Sequence, residues 1–466
     1  MTRSIIQASE FGVGPTSSAA DNTIGLQTSY DAASPLGATI ILPSGTLQVT
    51  SNPKTEIATH EGAAVMMLKG KGVSWQGQNT IIEPKSNKIE IFVQNGASDI
   101  SFSGIKFDNS QNGLLQNTVK VPNFLPNAGV KGQGNSCNAA IRQYRGKNLS
   151  VRNCEFDSFM MAIQYFGDSL DRDISSGDVV VENNLFRNGA FGLIAHNNER
   201  VFFKGNKEFN GVNRINKADI DDPGHLFYQA GRSGPIVKFA DVSSNYWENS
   251  LSSGLSIRNV EHVSCLNNSG INCARGISLS VIKSGIVNGN LLKLKASSTS
   301  RNNSALEINN CGDVIIGPAN LFDISGTDAW GFRIRKGIEN APDWADNGVQ
   351  LNAPTIIYDD TSTSKKSPIY VIDQNDFLAE KVIFKNKGTS TNKRPFELIR
   401  CKGAKVNAPY LTKGIKDGNR VISLKDCSNA IVFIDQKFTG YSSEDAVRDK
   451  GGNVDIQTHF NDFAQV

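Results

Sequence analysis

Three of the five histidines, His196, His225 and His262, fall within one stretch of a chain of 466 residues. His225 directly follows the acidic run Asp219-Ile220-Asp221-Asp222-Pro223-Gly224, and a single acid, Glu307, interrupts the apolar alternation of Ala305-Leu306-Glu307-Ile308-Asn309. Two chemistries suit such residues. Glycosidic hydrolysis needs two carboxyl groups about 5 to 9.5 Å apart across the scissile bond, for which Glu307 and Asp219, Asp221 or Asp222 are candidates. Eliminative cleavage of a uronate polymer needs its carboxylate neutralised and the adjacent proton removed; His196, His225, Arg232 and Arg258 can divide those tasks. Hydrolysis is slightly favoured. Each residue also has a structural alternative: Glu307 as the ion-pair partner of Arg333, and His225 as a packing residue against its own insertion.

These candidates sit in a recurring strand signature: small residue, apolar, any, apolar, any. It reads Ala140-Ile141-Arg142-Gln143-Tyr144, Ala162-Ile163-Gln164-Tyr165-Phe166, Gly192-Leu193-Ile194-Ala195-His196 and Gly254-Leu255-Ser256-Ile257-Arg258, and it continues through Gly276, Ala305 and Gly331. The spacing, about 22 to 30 residues, is that of one supersecondary unit stacked repeatedly. Stacked units share one continuous core, so one long solenoid is expected rather than the several domains that length alone suggests. The expected division is a cap over 1–50, coils over 51–438, and a C-terminal cap or tail over 439–466. Helical periodicity from Asn22 to Ala33, with Asp21 as N-cap, supplies the first cap. Asn residues three before an apolar position (Asn153, Asn183, Asn206, Asn268) predict an internal ladder of amides.

Side chains alternate along a strand, so the signature also writes out an exposed band. Its substrate-binding candidates are Arg142, Tyr144, Gln164, Phe227, Gln229, Arg258, Asn309, Arg333 and Arg335, joined by Arg232 from an insertion. Aromatic faces suit the C–H faces of sugars, and polar side chains suit their hydroxyls. The arginines favour carboxylate- or sulfate-bearing polymers. A non-catalytic carbohydrate-binding adhesion solenoid would use the same band.

The N-terminal motifs Glu10-Phe11-Gly12-Val13, Asp21-Asn22-Thr23, Leu26-Gln27 and Leu42-Pro43-Ser44-Gly45-Thr46 resemble the opening of the pectate-lyase-like right-handed parallel β-helices. That superfamily includes polysaccharide lyases, glycoside hydrolases and phage tailspike depolymerases. The resemblance implies an all-β, right-handed parallel β-helix with a short capping helix. It further implies a microbial surface polysaccharide as substrate, endo-acting cleavage, a homotrimer, and an extracellular or virion-associated setting. In the calcium-using lyase branch, Asp219, Asp221 and Asp222 would be ligands for Ca2+; otherwise no metal or cofactor is expected.

Bulk properties narrow the partners. A formal charge of +3 gives no general attraction to nucleic acid, and no stretch approaches the roughly 18 apolar residues of a membrane span. No signal-peptide core follows Met1. Seven cysteines without paired CxxC spacing read as small buried residues rather than zinc ligands or an essential disulfide. Gly70-Lys71-Gly72 has no helix behind it to make a phosphate loop, and Lys365-Lys366 reads as a solvated loop.

Overall fold

A computed structural model describes residues 4–52, 62–68, 70–86, 89–113, 139–144, 146–166, 177–212, 224–229, 237–251, 253–295, 303–336, 348–359, 366–387, 395–407, 409–411, 421–435 and 446–461. Asp219, Asp221, Asp222, Arg232 and Cys137 lie outside them. The described residues form thirty-nine strands, one α-helix and one short 3-10 helix. The fold is a parallel β-helix, as the signature requires. Two compact units divide it, the first covering residues 1–241 and 245–252 and the second residues 242–244 and 253–466.

In the first unit three parallel ladders run side by side. One takes Gly62–Leu68, Ile89–Asn95, Ala139–Tyr144, Met161–Phe166, Phe191–His196 and His225–Gln229 in order. A second begins at Ile5–Gln7 and Thr39–Ile41 and reaches Arg200–Lys204. The third runs from Gly45–Val49 to Tyr246–Glu248. Parallel pairing in strict register places equivalent inward side chains about 4.8 Å apart, so like stacks on like. Phe107, Phe156 and Phe186 stack at 4.9 and 5.3 Å, and Phe203 stacks on Phe227 at 5.0 Å. Each fully buried ring contributes about 1.5–3 kcal/mol.

The helix, Ala19–Ala33, starts earlier than its periodicity suggests. Ser18 is its N-cap, accepting from the Asp21 amide, so the expected cap residue is the donor. Ile24, counted on the apolar face, is 52 % exposed. Leu26, Tyr30 and Ala33 form its buried apolar face, and polar side chains also dock it, by pairing with open strand edges. Gln27 donates to the Met66 carbonyl at 2.9 Å and accepts from the Met66 amide at 2.8 Å, while Thr23 makes the same two-way pairing with Thr50. Such edges otherwise present unpaired backbone groups to other chains.

An asparagine ladder is present, shifted from part of its expected frame. Asn184, Asn206 and Asn245 form it in the first unit; Asn268, Asn290 and Asn320 form one in the second. Asn153 and Asn183 instead take left-handed turn conformations, with φ of 53° and 57°. Asn tolerates both tasks, and the sequence spacing does not separate them. The six described cysteines are buried.

The second unit repeats the plan. Its leading ladder runs from the first half of Ser253–Leu266 through Arg275–Asn288, Ser304–Asn309, Trp330–Arg335, Ile369–Ile372, Phe396–Ile399 and Ile422–Lys425 to Val447–Asp449. Two further ladders close each coil, one of them continuing to Gln457–Asn461.

Candidate functional site

On the leading ladder of the first unit, outward positions line up in columns. Tyr144, Phe166 and His196 share one column, and Arg142, Gln164, Ile194 and Tyr228 share its neighbour. Tyr144, Arg142, Gln164 and Ile194 are each buried, so the expected binding residues Arg142, Tyr144 and Gln164 are not open to a ligand. Register turns the first column into a stack of rings. Tyr144 and Phe166 lie 5.5 Å apart and 4° from parallel, and Phe166 and His196 lie 4.7 Å apart at 23°. Burial pushes the His196 imidazole down to about 4, so it is neutral at neutral pH.

A buried polar chain supports this stack. The Arg142 Nη1 donates to the Tyr144 hydroxyl at 2.8 Å, and its Nη2 lies 2.5 Å from Glu90 Oε1. Both charged side chains are almost fully buried. Burial pushes the Glu90 carboxyl up to about 7, against the pull of Arg142. Glu90 escaped the sequence reading. Its signal was an acid inside the apolar run Ile89-Glu90-Ile91-Phe92-Val93, which precedes the recognised repeats.

Beside the stack lies a second aromatic group. His225 packs on Tyr228 at 4.9 Å and on Phe191 at 5.8 Å, next to Met160, Met161 and Ile194. This corrects the frame of that strand by one residue. His225 pairs with Phe191, so Leu226 rather than His225 takes the small-residue position. Phe227 and Gln229 consequently point inward and are not available to a ligand. Phe227 is fully buried against Phe203, and Gln229 donates to Asn198 at 3.0 Å inside the coil. Tyr228 takes the outward place.

The second unit brings together Glu307, Asn309, Arg333 and Arg335. Glu307 Oε1 accepts from Arg333 Nη1 at 3.3 Å and from Arg335 Nη2 at 3.2 Å, and Arg335 Nε donates to Asn309 at 2.8 Å. The ion-pair alternative for Glu307 is thus the one observed. Arg258 shares the column of Asn309 and Arg335, through Ser280. The aromatic members are Trp330 and Tyr370, 6.0 Å apart. Lys366 is not a freely solvated loop residue: its ammonium donates to the Asp328 carbonyl at 2.8 Å and lies 4.2 Å from the Trp330 ring centre. Among the described residues no group of three or more His, Cys, Asp or Glu converges as a metal site.

No protein-family model matches the sequence, and no curated protein matches it. Solved structures do match. The tailspike protein of E. coli bacteriophage HK620, in complex with pentasaccharide, superposes over 98 % of this chain and 80 % of its own, with a TM-score of 0.63 and 12 % identity. A double mutant of that tailspike, also in complex with pentasaccharide, matches over 98 % of this chain and 78 % of its own, with a TM-score of 0.57 and 11 % identity. This chain has the tailspike-type parallel β-helix fold. At such identity the likeness extends to the fold, and the site must be argued from the residues present here. No helix among the described residues is long and apolar enough to cross a membrane.

Proposed function

We propose that this chain binds a microbial surface polysaccharide along the outward strand faces of its coils and cleaves it internally by glycosidic hydrolysis. The ring column Tyr144–Phe166–His196 carries the reading. Phe166 and His196 remain partly exposed on successive coils, at a repeat near 4.8 Å, over the buried Tyr144, with the partly exposed Tyr228 and the buried Phe191 and His225 alongside. A surface that repeats along an axis suits a ligand that does the same, and stacked rings supply the apolar faces that sugar rings need. The HK620 tailspike, of like fold, was solved in complex with pentasaccharide, which supports the same ligand class here. In this proposal the catalytic carboxyls come from Asp219, Asp221 and Asp222, whose segment leads directly into His225 at the edge of the ring wall.

A second reading, β-elimination on a uronate polymer, would use His196 or His225 as the base; the depressed His196 imidazole is unprotonated at neutral pH but only weakly basic. A homotrimer in an extracellular or virion-associated setting belongs to the same proposal, and sedimentation of the purified chain measures the first of these.

Incubation with a panel of capsular polysaccharides is the test. New reducing ends without ultraviolet absorbance establish hydrolysis, and an absorbing unsaturated product establishes elimination. Binding with neither product leaves an adhesion solenoid and ends the enzyme claim.

A further inference from the structure

On the second unit, positive charge collects around one indole. The Arg333 guanidinium carbon lies 4.6 Å from the Trp330 ring centre, and the Lys366 nitrogen lies 4.2 Å from it. Either contact alone is an ordinary cation–π pair. Two cations against a single ring repel each other, and Arg275 and Arg335 add to the crowding. Burial depresses the Arg333 guanidinium first, with Arg335 and Arg275 pushing the same way and Glu307 opposing them. Burial likewise depresses Lys366, with Arg333 adding to the shift and Asp328 opposing it.

Among the described residues, the carboxylates facing this group are Glu307 and Asp328, with Glu397 beside Tyr370 on the next coil. Asp328 is 59 % exposed and pairs with Lys366 at 3.6 Å. Arg333 at 12 % exposure and Lys366 at 17 % are partly reachable, and Arg335 beside them is 36 % exposed. An anion seated between guanidinium and ammonium relieves their mutual repulsion and gains charge-assisted hydrogen bonds from both. Tyr370, whose ring centre lies 6.0 Å from that of Trp330, offers apolar surface beside them.

We propose that Trp330, Arg333 and Lys366 form a binding site for an acidic sugar residue. The sugar ring lies against Tyr370, and its carboxylate or sulfate lies beside the Arg333 and Lys366 charges at the Trp330 edge. Glu307 and Asn309 are then positioning residues that aim the two arginine forks, and Glu307 is not the catalytic acid. The sugar half of this assignment rests on the polysaccharide reading, whereas its anionic half rests on the placement of the cations.

The test uses the full chain with three probe polymers: polygalacturonate for carboxylate, dextran sulfate for sulfate, and dextran as the neutral control. One acidic polymer binds at least about tenfold more tightly than dextran, and an Arg333→Gln/Lys366→Gln double variant loses about tenfold of that affinity. Lys366→Met alone, a milder change, loses severalfold. Lys402→Gln, an exposed charge elsewhere on the unit, leaves binding unchanged and so separates a site from general attraction. Thermal unfolding midpoints equal to the parent's show that the variants fold; if the double variant does not, Lys366→Met carries the test. Equal binding of dextran, or equal losses in the Lys366 and Lys402 variants, overturns the site. Cleavage of a polymer that neither Arg333 nor Lys366 affects would sink the site and leave the polysaccharide reading intact. Acid-selective binding with no cleavage of any polymer keeps the site and ends the hydrolysis half of the reading.

Discussion

The imidazole of His196 lies 4.7 Å from the ring of Phe166, the last step of a stack that begins at Tyr144. Beneath the same stack Glu90 is buried against Arg142, so one face holds a base and an acid that burial shifts in opposite directions. His196 titrates near 6.5 when unfolded and about 4 here. Its contribution is fully present above pH 6.5 and is lost as pH falls through 4, because the unfolded chain binds the proton more readily. Glu90 moves from 4.5 to about 7. The folded chain holds that proton more tightly, so stability falls as pH rises from 4.5 through 7.

The two slopes oppose each other between about pH 4.5 and 6.5. Thermal midpoints of the parent are therefore expected to vary little across that window. Glu90→Gln removes the falling component and leaves stability rising with pH; His196→Phe removes the rising component and leaves it falling. Identical pH profiles for parent and both variants would show that neither group is shifted by the fold.

Glu307 accepts from two arginines on the next coil, at 3.3 and 3.2 Å. Replacing it with alanine leaves both guanidiniums short of a half-buried acceptor and is expected to cost about 1–3 kcal/mol in urea unfolding. Glu307→Gln keeps an acceptor oxygen and costs less. A catalytic acid behaves differently, since its amide replacement abolishes turnover without regard to stability. Retained polymer cleavage in Glu307→Gln is the expected outcome, together with acidic-polymer binding at least as tight as the parent's.

Coiling was legible because its cause is local: a small residue followed by alternating apolar positions dictates a strand with one buried face. The same rule misread His225-Leu226-Phe227-Tyr228-Gln229, where every alternate residue is bulky. A one-residue slip in such a strand exchanges inside for outside, and only pairing with Phe191–His196 fixes the frame. Glu90 was illegible for another reason. Its partner Arg142 is far along the chain and meets it only because Ile89–Asn95 and Ala139–Tyr144 are neighbours in the ladder. Arg333 shares the strand Trp330–Arg335 with the indole and is a binding candidate from sequence, whereas Lys366 reaches the ring from the segment before Ile369–Ile372, so the pair meets only once those two coils are stacked.

Asn206 is the central rung of the first unit's amide ladder. Its side chain donates to the Val181 carbonyl at 2.9 Å and to Asn245 at 3.2 Å, and it accepts from the Asn184 backbone and side chain at 3.0 Å each. All of these groups are buried, where a lost partner costs about 1–3 kcal/mol per group. Asn206→Ala is expected to lower stability by about 2–4 kcal/mol, and Asn206→Asp to be no better, because the carboxylate cannot donate to Val181. Urea unfolding measures both. A loss under about 0.5 kcal/mol, the scale of an ordinary surface change, would mean that water replaces the rung.

Gln27 tests whether the N-terminal helix protects a strand edge. Its amide satisfies both the N–H and the C=O of Met66, on the first strand of its ladder. Gln27→Ala removes both bonds while keeping helix propensity, so any effect comes from the edge rather than from the helix. The expected cost is about 1–2 kcal/mol, accompanied by faster amide exchange at Met66 and by concentration-dependent association, since an uncovered strand edge is a template for another chain. Gln27→Glu separates the two halves of the contact. Its carboxylate still accepts from the Met66 amide but cannot donate to the carbonyl, and it should fall between parent and alanine in stability. If Gln27→Ala exchanges at the parent's rate and stays monodisperse, the edge does not depend on Gln27, and the Tyr30 hydroxyl, which donates to the Leu68 carbonyl at 3.4 Å, is the contact to test next.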